Sequence, residues 1–223
     1  MAADVIALFD LDRTLLTIDA DEAWVEFLIE QGALDRARFE PAMRDVSSRY
    51  QRGEIGIHEF CEFYLSTLAP HEPGQLEAWR QRYLDERIFP AIAPAARGLV
   101  AKHRTAGHLV VMSTAASRFL TAPIAAEFGI EHLIATEPEM KNGRYTGKSA
   151  GMPNMREGKI VRLEAWLATR GTSLDAFRES WFYSDSRNDI PLLSRVTNPV
   201  AVNADPALAE LARQKSWPML QIR

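Results

Sequence analysis

The sequence predicts an α/β fold, a doubly wound parallel sheet with an all-helical block inserted after its first strand. Three observations predict it. The chain opens on an apolar run, Val5-Ile6-Ala7-Leu8-Phe9, that reads as a buried strand. No strand signal recurs until past Ile88, and the stretch between carries helical spacing. From Pro90 onward short apolar runs alternate with helical patterns, as in successive βα units.

Asp10 and Asp12 stand two apart where the first strand ends. Ligands of open parallel sheets bind at the carboxyl ends of strands. Burying two like charges side by side is costly unless a cation or a reaction accounts for them. The plainer alternative is a pair of turn carboxylates at the start of the next helix. That helix spans 20–30, with Asp19 and Glu22 at capping-box spacing and Gly32 beyond its end. Trp24, Phe27, Leu28 and Ile29 form its apolar stripe. Further helices are predicted over 35–51, 58–68 and 73–87. The first strand must return to the sheet, so residues 19–88 are an insertion, and 1–18 with 89–223 form the core. An insertion directly after two acids is placed to cover them as a cap and exclude water.

The second half begins with a helix over 94–106, ended by Gly107, and a strand over 109–112 that finishes at Ser113-Thr114. A helix over 117–128 and a strand over 132–135 follow, then a hairpin signal at Asn142-Gly143. The helix over 157–170 turns Ile160, Leu163, Trp166 and Leu167 inward. Trp181-Phe182-Tyr183 is a strand running into Ser184-Asp185-Ser186-Arg187-Asn188-Asp189, and the runs 200–203 and 219–222 close the sheet.

The chain has 223 residues, 47% of them hydrophobic, enough for a core domain with an insertion. A net charge of −4 argues against a nucleic-acid partner. The single cysteine, Cys61, sits in an apolar helical stretch as a buried thiol and allows no intrachain disulfide. No basic segment precedes an apolar leader, and no apolar run reaches membrane-spanning length. The expectation is a soluble cytoplasmic protein whose partner is a small molecule, with neither membrane nor nucleic acid involved. Nothing in the sequence specifies the oligomeric state. The five histidines show no metal-ligand spacing.

Four polar clusters fall at strand ends or helix starts: Asp10/Asp12/Thr14, Ser113/Thr114, Lys159, and Asp185/Asn188/Asp189. In order and spacing they resemble the haloacid dehalogenase superfamily, whose pattern is D-x-D-x-T, an apolar strand ending in Ser or Thr, a Lys, and an acidic D-x-x-x-D loop. The resemblance spans nearly the whole chain. The helical insertion after the first motif makes it most similar to the phosphoserine-phosphatase-like branch. Within that branch, 10–16, Glu157-Gly158-Lys159 and 183–193 also look like bacterial histidinol phosphatases.

The resemblance implies a phosphomonoesterase that works on a small phosphorylated metabolite through an aspartyl-phosphate. It makes Asp10 the nucleophile and Asp12 the acid for the leaving alkoxide, then the base for water. Mg²⁺ is the implied cofactor, held by the side chains of Asp10 and Asp185 and the main-chain carbonyl of Asp12. Thr14 and Asp189 would orient these groups. Lys159 would hold charge on the transferring oxygens. Thr114, or Ser113 one register earlier, would meet the phosphate together with Asn188 and helix-start N–H groups. The four acids amount to about −4, which repels a phosphate dianion until Mg²⁺, Lys159 and a protonated Asp12 offset it.

Two other readings share these residues. A signalling receiver domain also uses an acidic pair, a Thr or Ser and a Lys, but has no helical insertion and is about half this length. Dehalogenases of the superfamily lack the second Asp, having no alkoxide to protonate. In the phosphoserine phosphatase pattern an acid nine positions after the nucleophile meets the substrate amine; here that is Asp19. The arginine that would hold a substrate carboxylate is replaced by Thr67. Histidinol phosphate, an amino-alcohol phosphate without a carboxylate, is therefore expected to suit the site better than phosphoserine.

Overall fold

In the computed structural model of the chain, which describes residues 4–222, the opening run is β1 (Val5–Phe9), buried at every position. A strand covered on both faces needs no polar alternation, and β1 lies in the middle of a parallel sheet. It pairs with β2 (Leu109–Ser117) on one side and β6 (Glu179–Ser184) on the other. With β3 (His132–Thr136), β7 (Asn198–Val202) and β8 (Met219–Leu220), the strand order is β3-β2-β1-β6-β7-β8. Winding reverses at β1, so a crevice opens beyond the carboxyl ends of β1 and β6. Residues 1–3 and 223, which the sequence assigns to the core, lie outside the described residues.

Four helices stand between β1 and the helix that feeds β2: α1 (Ala20–Glu30), α2 (Arg36–Gln51), α3 (Ile57–Leu65) and α4 (Pro73–Tyr83). The last does not continue to 87 as an α-helix. It loosens into a π-helical turn over Leu84–Ile88 and a 3₁₀ turn over Phe89–Ala91. Pro90 has no N–H to give Glu86 and crowds that carbonyl, which ends the regular helix. The chain then enters α5 (Pro94–Thr105). The two connections run side by side, with Leu16 bridging Ile92 and the Thr17 N–H donating to the Ala91 carbonyl at 2.9 Å.

Asp19 caps α1 by accepting the Glu22 N–H at 3.0 Å, a contact worth about 1 kcal/mol. The capping box stays incomplete because Arg13 Nη2 takes the Glu22 carboxylate at 2.6 Å. Trp24, Phe27 and Leu28 are fully buried in one cluster with Phe9, Met112 and Phe119, each adding roughly 1.5–3 kcal/mol. The insertion therefore shares its core with the sheet layer. Only a small cluster around Val46, Tyr50, Ile55, Cys61 and Met155 stands apart.

The most consequential departure from the sequence reading is at the end of β2. The strand runs on to Ser117, and α6 (Arg118–Glu127) starts four residues past Thr114. Ser113 faces Ile134 while Ser117 faces Thr136, so β2 carries two extra residues there. Such a bulge re-aims the side chains at a sheet edge. Beyond β3, β4 (Pro138–Lys141) and β5 (Arg144–Ser149) form the expected hairpin, with φ of 50° and 75° at Asn142 and Gly143. The hairpin packs on α3 so closely that a Cβ on Gly147 would lie 3.1 Å from the Ser66 Cα. α7 (Glu157–Ala168), α8 (Ile190–Leu193) and α9 (Pro206–Lys215) complete the layers. Among the described residues no helix is long and apolar enough to cross a membrane.

Candidate active site

The turn after β1 is where charge gathers. Asp10, 6% exposed, is held from both sides: Lys159 Nζ donates to Oδ1 at 2.7 Å and Thr14 Oγ1 to Oδ2 at 3.0 Å. Lys159 also donates to Asp189 Oδ2 at 2.6 Å, and the Ser184 hydroxyl reaches that same oxygen at 2.7 Å. Burial works against the Lys159 ammonium, but the two carboxylates outweigh it and hold its pKa above the ordinary value. Lys159 is carried by the first turn of α7, where Gly158 has no room for a side chain. A Cβ there would sit 2.2 Å from the Pro153 carbonyl oxygen.

Asp12 is tied to α1. Its Oδ1 accepts the Ala20 N–H at 2.7 Å, and Thr114 Oγ1 lies 3.3 Å from Oδ2. Burial, then the charges of Asp19, Asp10 and Asp21, hold the Asp12 carboxyl well above the usual carboxylate range.

Asp185 leaves the end of β6 with its N–H on Thr14 Oγ1 at 3.0 Å. The same hydroxyl lies 3.4 Å from Asp185 Oδ1, so the carboxylates of Asp10 and Asp185 converge on one point. Burial and the neighbouring acids push Asp185 up to about 8. Asp10 is pushed up to about 6 by burial, against the pull of Lys159. Two converging carboxylates driven toward protonation, by burial first and then by neighbouring acids, call for a cation between them. Among the described residues no three His, Cys, Asp or Glu side chains form a ready cage. Two carboxylates and a main-chain carbonyl suit Mg²⁺, which keeps several waters.

Ser113 and Thr114 separate in role. The Ser113 hydroxyl turns away and accepts from Asn154 Nδ2 at 3.1 Å. Thr114 is fully buried, accepts the Ala116 N–H at 3.1 Å and faces Asp12. The wall of the cavity here is Ala115 and Ala116. The expected run of helix-start N–H groups after Thr114 is absent, because the bulged strand occupies 115–117. Asn188 stands beside the cavity with Oδ1 on Arg156 Nε at 3.2 Å.

The cavity over these groups holds about 600 Å³. Its floor includes Asp10, Asp12, Lys159, Asp185 and Asp189, and its opposite wall comes from the helical insertion. That wall carries Asp19, Asp21 and Glu22 from α1, and Tyr50, Phe60 and Tyr64 from α2 and α3. Asp19 is not idle: besides capping α1, its Oδ2 pairs with Arg13 Nη1 at 3.0 Å. Thr67 lies away from the cavity, fully buried, donating to the Tyr64 carbonyl and accepting from Trp24 Nε1.

Several residues at the site carried no sequence signal. Asn154 is fully buried and fastens the end of β2 by donating to the Thr114 and Ile134 carbonyls, but its loop has no periodicity. Arg156, at φ 51°, lies 4.6 Å over the Tyr50 ring. Asp21 and Glu22 lie in the first turn of α1, where acids are common at any helix start, and only the Asp19–Glu22 spacing marks the turn in the sequence.

A family described as haloacid dehalogenase-like hydrolase matches residues 7–194. A histidinol-phosphatase of Neisseria meningitidis serogroup C is 40% identical over 219 residues, 98% of this chain and 99% of that protein. A crystal structure of a protein of unknown function from Bordetella pertussis Tohama I is 45% identical, with a TM-score of 0.95 and full coverage of both chains. A substrate-bound phosphoserine phosphatase matches with a TM-score of 0.68 at 16% identity, over 98% of this chain and 92% of that one, a likeness of fold.

Proposed function

The chain belongs to the haloacid dehalogenase-like hydrolases and is a phosphatase of their phosphoserine-phosphatase-like kind, and from that premise we propose that it hydrolyses a small phosphomonoester bearing a positive charge, histidinol phosphate fitting best. The observation that carries this reading is the charge of the cavity. Eight carboxylates line it against three cationic side chains, and three of those acids stand on the wall away from the Asp10 floor. A substrate body reaching that wall is favoured if it is cationic.

In this reading residues 19–88 act as a cap over a core of 1–18 and 89–223. Asp10 attacks phosphorus, forming the carboxylate–phosphorus bond as the ester P–O bond breaks. Asp12, protonated at rest, gives its proton to the departing alkoxide. Water then attacks the aspartyl-phosphate, its proton passes to the Asp12 carboxylate, and orthophosphate leaves as the bond to Asp10 breaks. Lys159 stabilises charge on the transferring oxygens while Asp189 and Ser184 hold it in line. Thr14 fixes the spacing of Asp10 and Asp185. Thr114 orients Asp12, and Asn188 stands at the phosphate side of the cavity. Asp10 and Asp185, with the Asp12 carbonyl, would hold Mg²⁺, which supplies the positive charge that a phosphate needs among these acids.

Thr67, the position compared with a carboxylate-binding arginine, is buried away from the cavity and does not bear on the substrate carboxylate. Phosphoserine is the second reading, favoured by the exposed Arg187 at the cavity rim. Phosphate release from histidinol phosphate, phosphoserine and sugar phosphates, measured side by side with Mg²⁺, tests the proposal. The highest kcat/KM is expected for histidinol phosphate; a preference for phosphoserine would favour the second reading.

A further inference from the structure

Three acids face the cavity from the first turn of α1, and they are not equivalent. Asp19 and Glu22 both pair with Arg13, at 3.0 and 2.6 Å. Among the described residues Asp21 has no such partner. The groups around it are the acids Asp19 and Glu22 and the Ser117 main chain, with no basic side chain among them. Burial first, and then Asp19, push its carboxyl up to about 8. An acid left in that condition gains most when a cation arrives.

A second observation lies on the same wall. Tyr50 is 5% exposed, lines the cavity, and its buried hydroxyl has no hydrogen-bond partner among the described residues. A buried hydroxyl without a partner is costly, which points to a group supplied from outside the chain. Its ring packs against Phe60 at 4.5 Å between centroids, and Phe60 meets Tyr64 edge-on at 5.5 Å. Cys61 joins the two observations. It clusters with Tyr50, and its thiol is pushed up by burial and then by the charge of Asp21. Tyr64 is likewise raised by burial and by the three acids. The aromatic row and Asp21, a carboxylate with a main-chain partner but no cationic one among the described residues, line the same wall.

We propose that Asp21, together with Tyr50, Phe60 and Tyr64, forms the subsite that receives the protonated nitrogen and flat ring of the substrate, and that Asp19 instead serves to hold Arg13 and start α1. The assignment rests on the reading of the cavity as selective for a cationic phosphomonoester. Phe60 and Tyr64 supply the aromatic surface for a planar cation, and Tyr50, whose ring already lies between Arg156 and Phe60, supplies its hydroxyl to a ring nitrogen.

The test is a selectivity ratio, kcat/KM on histidinol phosphate divided by kcat/KM on a neutral alkyl phosphate of similar length. Asp21→Asn is expected to lower that ratio by about ten- to a hundredfold, the range for losing a hydrogen bond to a charged group. Tyr50→Phe, which removes only the hydroxyl, should lower it several-fold through KM. Asp19→Asn should lower it less than Asp21→Asn. A ratio within twofold of wild type for Asp21→Asn, or a larger loss in Asp19→Asn, overturns the assignment. If the wild type prefers phosphoethanolamine to histidinol phosphate, the substrate reading falls, and the Asp21→Asn ratio on phosphoethanolamine still decides the subsite. A wild type that does not distinguish aminoalkyl from alkyl phosphates overturns the subsite whatever the natural substrate.

Discussion

Asp12 Oδ1 accepts the main-chain N–H of Ala20 at 2.7 Å, so the acid at the end of the first turn is held by the first residue of α1. The bond ties the proposed proton donor to the element that brings the acidic wall over the cavity. An asparagine at this position keeps an oxygen for Ala20 and loses only the proton. Asp12→Asn is therefore expected to fold normally by circular dichroism and lose about two to four powers of ten in kcat.

Gly158 makes a second tight joint. Any side chain there meets the Pro153 carbonyl oxygen, which is main chain and cannot swing aside. Gly158→Ala should cost about 1–3 kcal/mol by overpacking, seen as a lower Tm, and should displace Lys159 enough to depress activity as well.

Much of this was legible beforehand, for physical reasons. β1 announces itself because a strand buried on both faces is apolar throughout, and Asp19 because a cap is a local interaction. The convergence of Asp10, Lys159 and Asp189 followed from motif order alone, with no distance in hand. The end of β2 was not legible, since Ala115 and Ala116 have no strand signature and lie in the bulge between the β3 pairings of Ser113 and Ser117. Nor were Asn154 and Tyr50, whose roles exist only through partners distant in sequence.

Removing divalent metal is expected to abolish phosphate release, and adding Mg²⁺ to restore it. Ca²⁺ should bind without supporting turnover, because its looser, higher coordination suits in-line displacement poorly. Assays in EDTA, then with each ion added back, check this; full activity in EDTA would contradict the charge argument.

His103 offers a pH test away from the catalytic groups. It is 4% exposed, with Nε2 2.8 Å from the Tyr183 hydroxyl and Nδ1 2.8 Å from His108 Nδ1. Burial, then His108 and Lys102, push its pKa down from 6.5 to about 4. The unfolded chain thus takes up this proton first, so the contribution to stability is complete above pH 6.5 and is lost as pH falls toward 4. Urea unfolding across that window should show wild type losing stability relative to His103→Gln, with a slope approaching about 1.4 kcal/mol per pH unit. The buried acids of the site act in the opposite sense but are common to both proteins, so the difference isolates His103.

The central claim is that Asp10 takes the phosphoryl group. Acid quenching during turnover of histidinol phosphate, followed by peptide mass spectrometry, measures it most directly. The account predicts one phosphoryl group on the peptide holding Asp10 in the wild type. It predicts neither adduct nor phosphate release in Asp10→Asn, which keeps the shape of the side chain but cannot attack phosphorus. Phosphate release by Asp10→Asn at the wild-type rate, or a phosphoryl group found on another residue, would contradict it.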